Sequence, residues 1–195
     1  MRYSELRSLR SRLYFRVEDL QDLLGIKSGS ARVLCSRYTA KGLFVRLKKN
    51  FYMLSEAWEG IPGEDLLKIS NLLQAPSYIS FATALSFYEI TTQVQRNFFE
   101  SAALKRSVRF DIKGTAFNFY KLHKKYYFDF IKRGDIFIAT KEKAFIDSVY
   151  LYSFGKYKID FSSIDLNKLD IKRILKISEI YPQKTKGSIR KICGI

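Results

Sequence analysis

The sequence predicts an α+β fold in more than one unit, on three observations. The first sixty residues carry short helical patterns followed by one hairpin pattern. Further on, the strictly alternating run Val108-Arg109-Phe110-Asp111-Ile112 sits among helix-start signals. Apolar residues make up 47% of the 195-residue chain and aromatics 15%, which suffices for packed cores and excludes a wholly disordered basic tail.

Helical patterning begins at Tyr3, with Leu6, Leu9 and Leu13 spaced by three and four. A second short helix places Val17, Leu20 and Leu24 on one face, and Gly25 ends it. Ser28 or Ser30 is then the expected N-cap of a third helix running to about Lys41, closed by Gly42. Its apolar face is Ala31, Leu34, Cys35 and Tyr38. Two β-prone runs, Leu43–Leu47 and Phe51–Leu54, are joined by Lys48-Lys49-Asn50, where Asn tolerates a positive φ. Helix, helix, turn, helix, hairpin is the order of a winged helix-turn-helix, so residues 1–60 are predicted to be one.

Residues 61–75 read as a linker helix. Pro62 suits its first turn, Glu64 and Asp65 complement its dipole, and Leu66, Ile69 and Leu73 form its stripe. Ala75 precedes Pro76, which disfavours further helix and sets the expected boundary. Residues 76–195 are predicted as an α+β domain with a small mixed sheet and C-terminal helices. Ser80 should cap a helix through Tyr88, and Lys113-Gly114 should turn the alternating strand into Phe117–Lys121. Gly134-Asp135 leads into the apolar run Ile136–Ala139, and Thr140 should cap a helix ended near Gly155. From Asp165 the chain is read as helical, with Leu166, Leu169, Ile174, Leu175 and Ile180 as an irregular apolar face. Pro182 interrupts it, and Lys184–Cys193 is a short basic helix.

Charge narrows the function. There are 35 Lys and Arg against 19 Asp and Glu, a net of +16. The excess is +6 over residues 1–60, +4 over 61–155 and +6 in the forty residues after 155. A folded chain this basic is suited to a polyanionic partner, although solubility alone also accounts for such a composition. No apolar run approaches the roughly 20 residues of a membrane span, and no apolar signal-peptide core opens the chain, so a cytoplasmic location is expected. Cys35 and Cys193 are the only cysteines and His123 the only histidine, which leaves neither a disulfide scaffold nor a Cys- or His-based metal site. No phosphate-binding glycine loop is present, and no cofactor is expected. Glu142 and Asp147, five apart on a helix, do not favour one shared catalytic site.

With Ala31, Leu34, Cys35 and Tyr38 turned inward, Gly29, Arg32, Val33, Ser36 and Ala40 face outward, flanked by Ser30, Arg37 and Lys41. That face and the basic hairpin Arg46-Leu47-Lys48-Lys49-Asn50 suit phosphate and base contacts. The expected DNA-binding set is Ser28, Ser30, Arg32, Ser36, Arg37, Lys41, Arg46, Lys48, Lys49 and Asn50; the alternative is an ordinary solvated surface. A second basic set, Lys156, Lys158, Lys168, Lys172, Arg173, Lys176, Lys184, Lys186, Arg190 and Lys191, offers a separate surface for a polyanion, which includes RNA.

Three segments resemble one family. Val17-Glu18-Asp19-Leu20 to Leu24-Gly25, with Ala40-Lys41-Gly42-Leu43 and Phe51-Tyr52-Met53-Leu54, resembles the N-terminal domain of AbiEi-type antitoxins. Pro76-Ser77-Tyr78-Ile79-Ser80-Phe81-Ala82-Thr83-Ala84-Leu85-Ser86-Phe87-Tyr88 and Ile138-Ala139-Thr140-Lys141-Glu142-Lys143-Ala144-Phe145-Ile146-Asp147 are similar to its downstream segments. Lys141 stands where the family often has Pro, and Asn50 where the wing often has Gly. The resemblance implies a non-enzymatic type IV antitoxin. Its N-terminal domain would repress its own operon through inverted repeats in duplex DNA. Its C-terminal domain would neutralise a nucleotidyltransferase-like toxin, generally without a stable complex. A nucleic-acid-processing enzyme and a ligand-responsive winged-helix regulator are the competing expectations.

Overall fold

The structure is a computed structural model that describes residue 6 and residues 8–93 and 96–195. The chain divides into two units between Ile69 and Ser70.

The first unit starts with 3-10 geometry at Leu6, Ser8 and Leu9. Leu6 and Leu9 are buried as their spacing predicts, while Tyr3 lies outside the described residues. The predicted first helix does not reach Leu13. The chain turns after Leu9, with the Arg12 N–H donating to its carbonyl at 3.1 Å, and enters strand β1 (Phe15–Arg16). Burial of Phe15 explains the turn: its ring is fully covered and packs edge-on against Phe44 at 4.9 Å.

Helix α1 (Val17–Leu24) ends at Gly25, whose φ of 63° is the left-handed conformation the sequence predicts there. Helix α2 (Ser28–Ala40) begins one residue earlier than a Ser28 cap would allow. Its N-cap is Lys27, so neither Ser28 nor Ser30 caps it. Ala31 and Cys35 are fully buried, with Leu34 and Tyr38 packed at the edge of the same core. Strands β2 (Phe44–Lys48) and β3 (Phe51–Leu54) form the hairpin, and β3 is central in the antiparallel order β1-β3-β2. Asn50 turns it at φ 68°. A short helix α3 (Ser55–Glu59) buries Trp58, and α4 (Gly63–Leu73) follows.

The division within α4, rather than at Ala75–Pro76, has a local cause. The Ser70 hydroxyl shares a hydrogen bond with Ser101 at 2.9 Å, and Asn71 accepts from the Phe137 N–H at 2.7 Å. The last turn of the helix is thereby bonded into the second unit.

That unit contains β4 (Ser77–Ile79), α5 (Phe81–Phe87), β5 (Phe98–Ala103), β6 (Val108–Ile112), β7 (Thr115–Lys121), β8 (Phe130–Arg133) and β9 (Ile136–Ala139). The sheet order is β6-β7-β5-β4-β9-β8. Pairs β5/β7 and β4/β9 are parallel and the other three antiparallel, so the sheet is mixed, as predicted. Helix α6 (Lys141–Ser153) follows, capped by the Thr140 hydroxyl, which accepts from the Lys143 N–H. Every residue from Glu142 to Val149 is buried. Helices α5, α7 (Ile171–Ser178) and α8 (Gln183–Cys193) surround it, which makes it the core helix of the unit. The predicted helix from Asp165 is shorter than expected: Leu166 lies in a 3-10 turn and Ile180 is half exposed beyond α7. Asp165 and Asp170 each accept a backbone N–H two or three residues on, which breaks this stretch into separate turns. Among the described residues no helix is long and apolar enough to cross a membrane.

Candidate nucleic-acid interface and the buried polar clusters

The turn after Gly25 sets α2 against α1 with only its Ala31/Cys35 stripe covered. On the opposite side Ser30, Arg32, Ser36, Arg37 and Lys41 are exposed, and Ser28 is half-buried at the helix start. Val33 stands beside them at 58% exposure, an apolar group suited to a thymine methyl that charge counting alone does not single out. In the hairpin, Arg46 and Lys49 are exposed. The ion pairs of this unit engage Arg12, Arg16 and Lys68. Among the described residues Arg32, Arg37, Lys41, Arg46 and Lys49 stand outside them, so their charge is not neutralised by a fixed carboxylate.

Two members of the expected set sit differently. The Lys48 ammonium lies 4.4 Å from the centre of the Phe51 ring, and the residue is half-buried. The Asn50 carboxamide faces α1: its oxygen accepts from the Val17 N–H at 3.3 Å, and its nitrogen donates to Glu18. That bond holds the Glu18 carboxyl below its ordinary pKa. Asn50 therefore ties the hairpin to the start of α1.

The ten cations after Gly155 are spread over four places: Lys156 and Lys158 after α6, Lys168 in the 3-10 turn before α7, Lys172, Arg173 and Lys176 on α7, and Lys184, Lys186, Arg190 and Lys191 on α8. Two are engaged locally. Lys168 donates to the Glu89 carbonyl at 2.7 Å, and Arg173 pairs with Asp129 at 2.7 Å and Glu142 at 3.9 Å.

The two downstream segments singled out in the sequence meet inside the second unit. Lys143 and Asp147, four apart on α6, form a fully buried ion pair. The Tyr78 hydroxyl donates to Asp147 at 2.9 Å and accepts from Lys143 at 2.9 Å, while Ser80 donates to Asp147 at 2.8 Å. Ser80 occupies the predicted N-cap position of α5, yet its hydroxyl serves Asp147 instead. Burial pushes the Lys143 pKa down and the Asp147 pKa up, each opposed by the partner's charge. Glu142 points elsewhere and accepts from the Asp170 N–H at 3.3 Å, so the two carboxylates of this helix occupy separate environments.

Glu100 on β5 is a third buried carboxyl, one that no sequence pattern marks. It accepts from the hydroxyls of Tyr157 at 2.7 Å and Tyr120 at 3.3 Å and from the Ala82 N–H at 3.2 Å. Burial nonetheless raises its pKa to about 7. His123, expected at the surface, is exposed there and accepts from the Lys125 N–H. Among the described residues no three His, Cys, Asp or Glu side chains are grouped as metal ligands would be.

The fold and this surface define a class: an α+β chain that opens with a winged helix-turn-helix whose outward helix is cationic. Among solved structures it is similar to the RV2827C protein from Mycobacterium tuberculosis, at a TM-score of 0.63 and 11% identity, over 98% of this chain and 76% of that one. At that identity the likeness establishes the fold alone. No family model matches the chain, and no curated protein matches it.

Proposed function

We propose that the chain is a cytoplasmic antitoxin and autorepressor of the AbiEi type, acting by binding and not by catalysis. The observation that carries the DNA half is the outward side of α2, where Arg32, Arg37 and Lys41 stand exposed beside Ser36 and Val33, together with the exposed hairpin cations Arg46 and Lys49. A helix with small and cationic residues outward fits the major groove, and a basic wing supplies phosphate contacts. The antitoxin half is supported by the second and third segments of family resemblance. They contribute Tyr78, Ser80, Lys143 and Asp147 to one buried network, a reason for those residue types to occur together. The exposed cations of α7 and α8 are the surface assigned to neutralising a nucleotidyltransferase-like toxin.

The experiment has two arms. The full chain is titrated against the DNA upstream of its own gene, and it is co-expressed with a nucleotidyltransferase-like toxin encoded beside it. Specific retardation and restored growth are expected. Growth arrest that persists with well-folded chain present would overturn the antitoxin assignment, and equal affinity for unrelated duplex would overturn the repressor assignment.

A further inference from the structure

The second unit holds a cavity of about 700 Å³ between the end of β7 and the end of α6. Three aromatic rings line it, from Tyr120, Tyr150 and Phe154, together with Lys121, Lys156 and Ser107. No carboxylate lines it among the described residues. Its volume falls within the roughly 300–1,000 Å³ of small-molecule sites.

The rings are held in place. Tyr120 donates its hydroxyl to Glu100 and packs edge-on against Tyr157 at 5.5 Å. Tyr150 packs against Tyr126 at 4.8 Å and Tyr181 at 5.5 Å. Phe154 meets Tyr150 at 5.5 Å and is still 43% exposed, so part of its ring is open to a ligand. Cations stand around them. Lys121 and Lys156 are exposed and lie outside the ion pairs among the described residues, and the Lys184 ammonium is 5.5 Å from the centre of the Phe154 ring. The Ser107 oxygen accepts from the Lys121 N–H at 2.9 Å, which leaves its own proton to donate.

We propose that this cavity binds a nucleotide, with the base stacked on the open face of Phe154, against the edge of Tyr150, and the phosphate held by Lys121, Lys156 and Ser107. A purely apolar ligand would make no use of the ammonium groups, and an inorganic anion would make no use of the rings. A planar π system that carries phosphate uses both. The nucleotide is either free or the exposed nucleotide of a single strand, which presents the same chemistry. The inference rests on the cavity alone and does not require the antitoxin reading.

The test is calorimetric titration of the full chain with AMP, adenosine, inorganic phosphate and 5′-phosphorylated tetra-adenylate. AMP should saturate one site, with adenosine and phosphate each about tenfold weaker or worse. Phe154→Ala should weaken AMP by about 5- to 100-fold, the range of one base–aromatic stack. Phe154→Tyr keeps the ring and should bind like the wild type, which separates a lost platform from a lost fold. The pair Lys121→Ala and Lys156→Ala should weaken AMP and reduce its salt dependence. Lys132→Ala, on β8 at the far edge of the sheet from β7, should leave AMP binding unchanged, which guards against diffuse attraction by a +16 chain. Tighter binding of tetra-adenylate than of AMP assigns the site to a strand; equal binding assigns it to the free nucleotide. The proposal is overturned by absence of saturable binding, by phosphate binding as tightly as AMP, or by an affinity indifferent to Phe154→Ala.

Discussion

Asn50 donates to both carboxylate oxygens of Glu18, at 3.1 and 2.9 Å, across 32 residues of chain. Together with its bond from the Val17 N–H, this makes one side chain both the corner of the hairpin and a brace for the first turn of α1. The backbone and side-chain roles are separable by substitution. Asn50→Gly preserves the φ of 68° and removes the brace, so it should cost about 1 kcal/mol through the unpaired Val17 N–H. Asn50→Ala should cost about 1 kcal/mol more, because a Cβ is disfavoured at that φ. Urea denaturation of the three proteins measures both steps. A glycine variant as stable as the wild type would mean the brace contributes nothing.

On the proposed operator, Arg32 and Lys49 should behave differently. Arg32 projects from the exposed side of α2, where a bidentate contact to guanine is worth about 1–3 kcal/mol of discrimination. Arg32→Ala should therefore lose preference for operator over random duplex while retaining much of its non-specific binding. Lys48→Ala with Lys49→Ala should weaken both DNAs alike and flatten the salt dependence, by about 0.9 in log–log slope per phosphate contact removed. Because Lys48 lies against Phe51, Lys49 alone should account for most of that change. Mobility shifts across a salt series decide it, and an unchanged slope would take the hairpin out of the interface.

The parts of the fold legible in the sequence are those with local signals. Gly25, Gly42, Lys113-Gly114 and Thr140 each mark an end or a turn by its own backbone preference, and each stands where that preference predicts. The unpredicted strands lack such signals. Phe98–Ala103 sits between β7 and β4 and shows no alternation, nor does Phe130–Arg133 at the sheet edge, while Phe15–Arg16 and Ser77–Ile79 are too short to carry a pattern. The outward set on α2 was legible because a helix converts spacing into direction. The cavity was not. Tyr120, Tyr150 and Phe154 have no common spacing in the sequence, and only tertiary packing brings the ends of β7 and α6 together. Ser80 fails for the same reason: its cap position is a local property, but Asp147, its partner, lies 67 residues away.

Removing half of the buried pair should be worse than removing all of it. Lys143 and Asp147 are both fully buried, so Asp147→Ala leaves an ammonium without its counter-charge, a loss of about 3–5 kcal/mol. In the double variant Lys143→Met with Asp147→Leu, no charge remains to desolvate. The Tyr78 and Ser80 hydroxyls lose their acceptor in both variants, a common loss of about 1–3 kcal/mol each at most, so the two differ chiefly by the unpaired ammonium. The double variant should thus be more stable than Asp147→Ala. Thermal or urea unfolding of these forms together with the single variants Lys143→Met and Asp147→Leu measures the coupling, and strictly additive losses would show that the two side chains do not act as a pair.

The last expectation concerns pH and Glu100. Burial raises its carboxyl pKa from 4.5 to about 7, against the opposing hydrogen bonds from Tyr157, Tyr120 and Ala82. Below the lower value the group is protonated in both folded and unfolded chains and contributes no pH dependence. Between the two values the unfolded chain ionises while the folded chain keeps its proton, so the unfolded state gains as pH rises. Stability should fall across this window by about 3 kcal/mol at most, and the effect should level off above pH 7. Glu100→Gln cannot ionise and removes this dependence, although its amide replaces one of the two acceptor oxygens and leaves a tyrosine hydroxyl less well paired. The variant should therefore be the less stable protein near pH 4.5, with the difference narrowing or reversing by pH 8. Urea midpoints at half-unit pH steps give both curves. If the curves run parallel through the window, Glu100 ionises alike in the folded and unfolded chains, and its burial does not control the response.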